Sequence, residues 1–423
     1  MRYSALLYID PGTGAMLFTT LIGLVTTASF AFRKFGIKIK FMLSGGKAVK
    51  SETEKHDLVI FSDHKRYWNV FRPICHELEK RGIDCEFWTA SEDDPALLED
   101  FKHVKCSFIG SGNKAYARLN MMSAYLCLAT TPGLDVYQWK RSKKTDYYVH
   151  TFHSPSVPLY RMFGLDFYDS VLLNGSFQEY MLRKLEEMRN LPAKEMPVVG
   201  STYLDSMEEH RLQLENEKRA PDDEVNKSTT VLLAPSWGKS AILSKYGRGF
   251  LNALKETGYD IIVRPHPQSR TAEKELLEEL QREFPDSEHW KWNFDNDNFE
   301  VLRRSDIMIS DFSGVILDNA FIFDGSVIYT DVEFDPSPYD ASWLDEPLWI
   351  ETVLPKIGRK LEKDDIKKIK QVIDDTINSK KLSEGRKEVK DTAWEYKGEA
   401  AVRTADYIVK KLEEIKSKAE DNK

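Results

Sequence analysis

Three short stretches carry side chains suited to gripping a phosphate and moving a proton. Arg264-Pro265-His266-Pro267 sets a fixed cation and an imidazole two residues apart, in a loop that two prolines stiffen. Ser310-Asp311-Phe312-Ser313-Gly314-Val315 runs from an apolar stretch directly into a helical one. Ser313 is a good N-cap there, and Gly314 lets a ligand approach the backbone closely. The first N–H groups of such a helix, aided by its dipole, form a seat for phosphate. A charge-assisted hydrogen bond to that phosphate is worth about 1.5–3 kcal/mol. The third stretch is His150-Thr151-Phe152-His153-Ser154-Pro155. His150 ends a predicted strand and reads as structural. His153 falls in the loop beyond, where an imidazole can take a proton from an attacking hydroxyl, an effect of about 10²–10⁴-fold. The two-residue gap between these histidines has no third ligand pattern beside it, so no metal is expected.

The elements that must position these residues read as α/β. Apolar runs alternate with helical stretches from residue 58 onward, the pattern of βαβ units and parallel sheets. Strands are predicted over 58–61, 85–88, 105–108, 126–129, 147–150, 170–173 and 197–199, with helices over 66–80 and 178–188. A polar, charged stretch at 210–228 reads as a linker. Strands then resume at 230–234, 260–264, 306–310 and 326–329, with helices at 249–256, 273–283 and 313–323. The expected domains are 51–209, a first Rossmann-like half, and 229–385, a second. A C-terminal segment, 386–423, follows. In that segment Ala401, Ala405, Ile408, Leu412 and Ile415 form one apolar stripe, the mark of a packing helix.

Three loops of the second half lie at predicted strand carboxyl ends, where α/β sheets bind ligands. They hold Ser236, in Ala234-Pro235-Ser236-Trp237-Gly238, then Arg264 with His266, then Asp311 with Ser313 and Gly314. Their convergence points to a pocket for a nucleoside diphosphate. Two resemblances to cofactor motifs fail. Gly238-Lys239-Ser240 looks like the end of a P-loop, but Leu233 stands where its first glycine belongs, and there is no GxGxxG. No cofactor is expected, and the acidic run 295–297 reads as a solvated turn.

Composition narrows the class. The 423 residues include 60 Lys and Arg against 68 Asp and Glu, a net charge of −8, which disfavours a nucleic-acid partner. With 41% hydrophobic residues the chain can build large cores. Cys75, Cys85, Cys106 and Cys127 form no CxxC pair, as suits a reduced compartment.

Residues 11–32 carry no charge. As a helix they would span about 33 Å, enough to cross a membrane. Arg33, Lys34, Lys38, Lys40, Lys47 and Lys50 follow, with no acid between Asp10 and Glu52. Residues 1–50 are therefore expected to be a single-pass anchor with a basic flank, leaving the catalytic halves on the cytoplasmic side. The competing readings are a cleaved signal peptide, for which Ser29-Phe30-Ala31 has a suitable form, and a short re-entrant or interfacial segment, since Gly12, Gly14 and Gly23 weaken a straight helix.

Together these motifs resemble the CDP-glycerol glycerophosphotransferases, the teichoic-acid polymerase and primase family, over residues 58–361. The strongest marks are the Arg264 and Ser310 motifs. Weaker ones are His153-Ser154-Pro155, Phe167-Tyr168-Asp169, Val198-Val199-Gly200 and Leu204-Asp205. The resemblance implies a GT-B fold, two Rossmann-like domains facing a cleft, with the C-terminal helix packing back towards the first. It also implies that His266 and the Asp311–Ser313 loop hold the donor pyrophosphate and that His153 acts near the acceptor as base. The expected donor is CDP-glycerol or a similar CDP-alditol, and the expected acceptor is lipid-linked or polymeric. A GT-B glycosyltransferase using a nucleotide sugar, or a membrane-tethered protein without catalysis, are the alternatives.

Overall fold

The computed structural model describes residues 55–421 apart from 156–159, 218–227, 296, 312 and 331–334. The anchor expected at 11–32 lies outside the described residues. Among the described residues no helix is long and apolar enough to cross a membrane.

Continuous apolar runs become strands buried on both faces, as parallel sheets require. The first half contains β1 (His56–Ser62), β2 (Cys85–Thr89), β3 (Val104–Phe108), β4 (Ser123–Ala129), β5 (Lys144–Thr151) and β6 (Ser170–Leu172). They form a parallel sheet in the order β3-β2-β1-β4-β5-β6. The second half contains β7 (Thr230–Leu233), β8 (Asp260–Val263), β9 (Trp290–Trp292), β10 (Ile307–Ser310), β11 (Ser326–Thr330) and β12 (Arg359–Leu361). Their order, β12-β11-β10-β7-β8-β9, is the same topology repeated. Strand order reverses between β1 and β4 and again between β7 and β10. Those are the switch points where doubly wound sheets open a crevice for ligands.

Two edge strands, β9 and β12, escape the sequence reading. Each is three residues long and half polar (Trp-Lys-Trp, Arg-Lys-Leu), so neither shows a strand period. Conversely, the strand expected at 197–199 makes only an isolated bridge, between Leu173 and Val198.

The stretch taken as a linker at 210–228 also differs. Residues 210–217 are the end of the helix Thr202–Glu217, which therefore runs through the expected boundary at 209. Good helix formers and the Arg211 pairs with Glu208 and Glu215 favour continuing the helix. This helix joins the halves. Leu204 and Met207 sit in the core beneath Ile316 and Phe321. On its other side the Ser206 hydroxyl donates to the Asn69 carbonyl at 2.8 Å. That carbonyl is four residues before Pro73, inside the helix Trp68–Lys80, and proline has no N–H to give it. The expected boundary at 385 likewise falls within a helix, Lys380–Ala393.

The C-terminal helix Ala400–Asp421 inserts Ala405, Ile408 and Leu412 among Phe71, Ile74 and Leu126 of the first half. Asp205, from the weakly marked Leu204-Asp205 pair, caps its start. The carboxylate accepts from Gly398 N–H (2.9 Å), Ala400 N–H (3.1 Å) and Trp394 Nε1 (2.9 Å).

The halves are also tied by residues that follow β11. Buried Asp340 accepts from Phe163 N–H (2.6 Å), Gly164 N–H (3.1 Å) and Arg189 (2.6 Å), all in the first half. Arg189 spans Asp340 and Asp166, and its guanidinium lies over Trp343.

Candidate functional site

On the second half, the loops after β7 and β10 are locked to each other at the switch point. Asp311, 2% exposed, turns its carboxylate onto the β7 loop. It accepts from Ser236 N–H at 2.9 and 3.0 Å and from Ile242 N–H at 3.3 Å. Asp311 therefore shapes the site, and a phosphate would have to rely on its neighbours. Ser310 supports the arrangement by donating to the Ala234 carbonyl at 2.6 Å. Beyond Asp311 the backbone enters the helix Val315–Ile322, with Gly314 at φ −59° as its N-cap residue.

The β8 loop is braced from both sides. Arg264 reaches Asn293 and donates to the Asp295 carbonyl at 2.9 Å, so its guanidinium leans towards the loop after β9. Burial lowers its pKa, opposed by Asp295 and Asp297. His266 Nδ1 accepts the Gln268 N–H at 3.1 Å. In the neutral ring the proton is then on Nε2, which makes His266 a hydrogen-bond donor to an anion. Burial, and next the positive charge of Arg66, push its pKa down, with Glu273 opposing. Trp237, partly exposed, lies beside it with ring centroids 6.4 Å apart.

On the first half, His153 follows β5. Its Nδ1 is 3.1 Å from Thr130 Oγ1, and its ring lies 4.8 Å from that of Tyr67. Burial, and then Arg66, bring its pKa down to about 4, so at neutral pH it is an unprotonated base. His150, by contrast, is wholly buried and bonded to the Tyr160 hydroxyl at 3.1 Å, a structural role.

The halves meet at these loops. A Cβ placed on Gly314 would lie 3.4 Å from Ser154 Oγ, the residue after His153. The helix start and the His153 loop thus face each other across a narrow gap. Asp311 in turn ties the Ser236 loop to the strand end that leads into Ser313 and Gly314. The positive charge of Arg66 opposes protonation of both His153 and His266.

Sequence reasoning missed the loop after β1, Asp63-His64-Lys65-Arg66-Tyr67. Asp63 is held above its ordinary pKa by burial, partly offset by Arg66. Its carboxylate lies beside the side chain of Thr131, at the neighbouring tip of β4. The available signal was a charged cluster directly after the first strand of a Rossmann-like half. Tyr168 and Asp169 act as scaffold: Tyr168 donates to the Thr131 carbonyl at 2.6 Å, and Asp169 accepts from Tyr148 N–H at 2.7 Å. Among the described residues no group of three or more His, Cys, Asp or Glu side chains could hold a metal ion.

No family model matches the sequence, and no curated protein matches it. Solved structures do resemble its fold. The wall teichoic acid polymerase TagF superposes with a TM-score of 0.54 at 15% identity, covering 90% of this chain and 98% of that one. A variant of TagF soaked with CDPG gives 0.55 at 16% identity, with the same coverage. UDP-GlcNAc 2-epimerase of Methanocaldococcus jannaschii, in complex with UDP-GlcNAc and UDP, gives 0.53 at 13% identity, covering 84% and 99%. At such identities the likeness is one of fold: two parallel six-stranded sheets arranged as in the GT-B enzymes.

Proposed function

We propose that the chain is a transferase that moves glycerol phosphate, or a related alditol phosphate, from a CDP-activated donor to a hydroxyl of a lipid-linked or polymeric cell-envelope acceptor. The observation that carries this reading is the meeting of two loops. The His153-Ser154 loop of one half lies within contact of the Ser313-Gly314 helix start of the other. A proton acceptor and a phosphate seat then stand on opposite walls of one gap.

The chemistry follows from that placement. The acceptor oxygen bonds to the phosphorus that carries the alditol, and the bond from that phosphorus to the bridging oxygen breaks. CMP leaves with the electron pair, and the hydroxyl proton passes to His153. Neutral His153 can accept it, and the diphosphate beside the ring would raise its basicity. His266, donating through Nε2, the N–H groups after Gly314 and the β7 loop offset charge on the leaving phosphate. An anchor at 11–32 would hold the enzyme on the surface that presents a lipid-linked acceptor, with both halves in the cytoplasm.

The test is release of CMP from CDP-glycerol, against UDP from UDP-sugars, with the full-length chain and a lipid-linked acceptor. CMP release that His153→Ala and His266→Ala each abolish is the expected result. UDP release alone would make it a sugar transferase, and wild-type turnover in either variant would remove that residue's role.

A further inference from the structure

The first half brings a cation to the gap that the motifs of the second half do not account for. Arg66 lies on a short turn, Lys65–Tyr67, at the carboxyl end of β1, one side of the switch point. Its side chain is exposed and stands over the Tyr67 ring, 4.9 Å from the centroid. His153 also approaches that ring, with centroids 4.8 Å apart. Ser154 then leads to Gly314. The nearby cation Lys65 pairs with Asp93, whereas among the described residues Arg66 has no carboxylate within ion-pair distance. Asp63, three residues earlier, adds negative charge close by without forming an ion pair with it. Thr131, nine-tenths buried at the adjoining tip of β4, sets its hydroxyl beside the Asp63 carboxylate.

We infer that Arg66 is a donor-binding residue: it spans the gap from the first half and grips the phosphate that carries the transferred group, while the second half holds the rest of the nucleotide. This rests on the reading of the site given above and deepens it. In the empty protein the Arg66 guanidinium opposes protonation of both imidazoles. A bound diphosphate reverses that, because Arg66 then meets two negatively charged groups through its planar fork. Ser313, Gly314 and His266 supply neutral donors only, and Arg264 is engaged with Asn293 and Asp295. Arg66 is thus a fixed charge placed to neutralise phosphate in the gap. It also makes binding a contact between halves, so the site is complete only when both contribute.

The experiment compares CDP with CMP, which differ by the outer phosphate, by calorimetric titration of the full-length chain in mild detergent. The expected result for Arg66→Ala is CDP binding weakened about 10- to 100-fold with CMP binding changed about threefold or less. Arg66→Lys, with the charge but not the fork, should fall between Ala and wild type. Wild-type affinity for CDP in Arg66→Ala overturns this inference alone, as does equal loss of CDP and CMP. A wild-type chain that binds neither nucleotide overturns the reading of the site and this inference with it.

Discussion

Lowering the pH should destabilise the protein through His153 by an amount that its surroundings set. The imidazole pKa falls to about 4, against 6.5 for an ordinary histidine, because burial and Arg66 oppose its charge. Between those two values the unfolded chain binds a proton at this residue and the folded chain does not. Stability therefore falls as pH drops from 6.5 towards 4, and the contribution is fully present above 6.5. The whole interval, 2.5 units, corresponds to about 3 kcal/mol. Most of it, about 2.5 kcal/mol, is already lost at about pH 4.5. These are ceilings, since the ring keeps some contact with solvent. The assay is urea unfolding of the wild type and His153→Gln at about pH 7.5 and about pH 4.5. The glutamine can still bond Thr130 but does not titrate, and taking the difference between variants cancels every other acid-sensitive group. The wild type should lose up to about 2.5 kcal/mol more than His153→Gln on acidification. Equal losses would refute the claim that the cleft keeps His153 neutral, and with it the basis for calling it a proton acceptor.

Two further perturbations separate the roles of residues at the second switch point. Asp311→Ala removes the acceptor for two buried N–H groups, so a loss of about 2–6 kcal/mol in chemical unfolding is expected, with donor binding lost as the β7 loop loosens. Asp311→Asn retains one acceptor oxygen and should fall between, whereas unchanged stability in both would show that the carboxylate is not the lock. Gly314→Leu fills the gap beside Ser154 without straining the backbone, since φ is −59°. It should keep stability within about 1 kcal/mol while weakening CDP binding about tenfold or more, measured by calorimetry. Undiminished binding would move the phosphate seat away from that helix.

Much of the scaffold was legible because buried parallel strands need continuous apolar runs, and such runs stand out at 58–61, 126–129, 230–234 and 306–310. The same reasoning placed Ser236, Arg264, His266, Asp311, Ser313 and Gly314 at strand ends, where ligands bind. It did not find β9 and β12, whose few residues lie at sheet edges and show no period. Nor did it find that residues 210–217 are helical, since a charged helix face and a linker have similar composition. The apolar stripe of the C-terminal helix was evident, but its anchoring by Asp205, some 195 positions earlier, was not.

By itself the sequence determined which residues end strands and which begin helices, because those properties depend on neighbours along the chain. Only the tertiary structure decided where each side chain turns. Asp311 is spent on backbone N–H groups, and Arg264 leans towards Asn293. Arg66, 87 residues before His153, stands over the same Tyr67 ring that His153 approaches. The physical reason is strand order: β1 lies beside β4 and β7 beside β10, so the crevice is lined by loops that are remote in sequence. Hydrogen bonds and charges act over a few ångströms of space, whatever the length of chain between them.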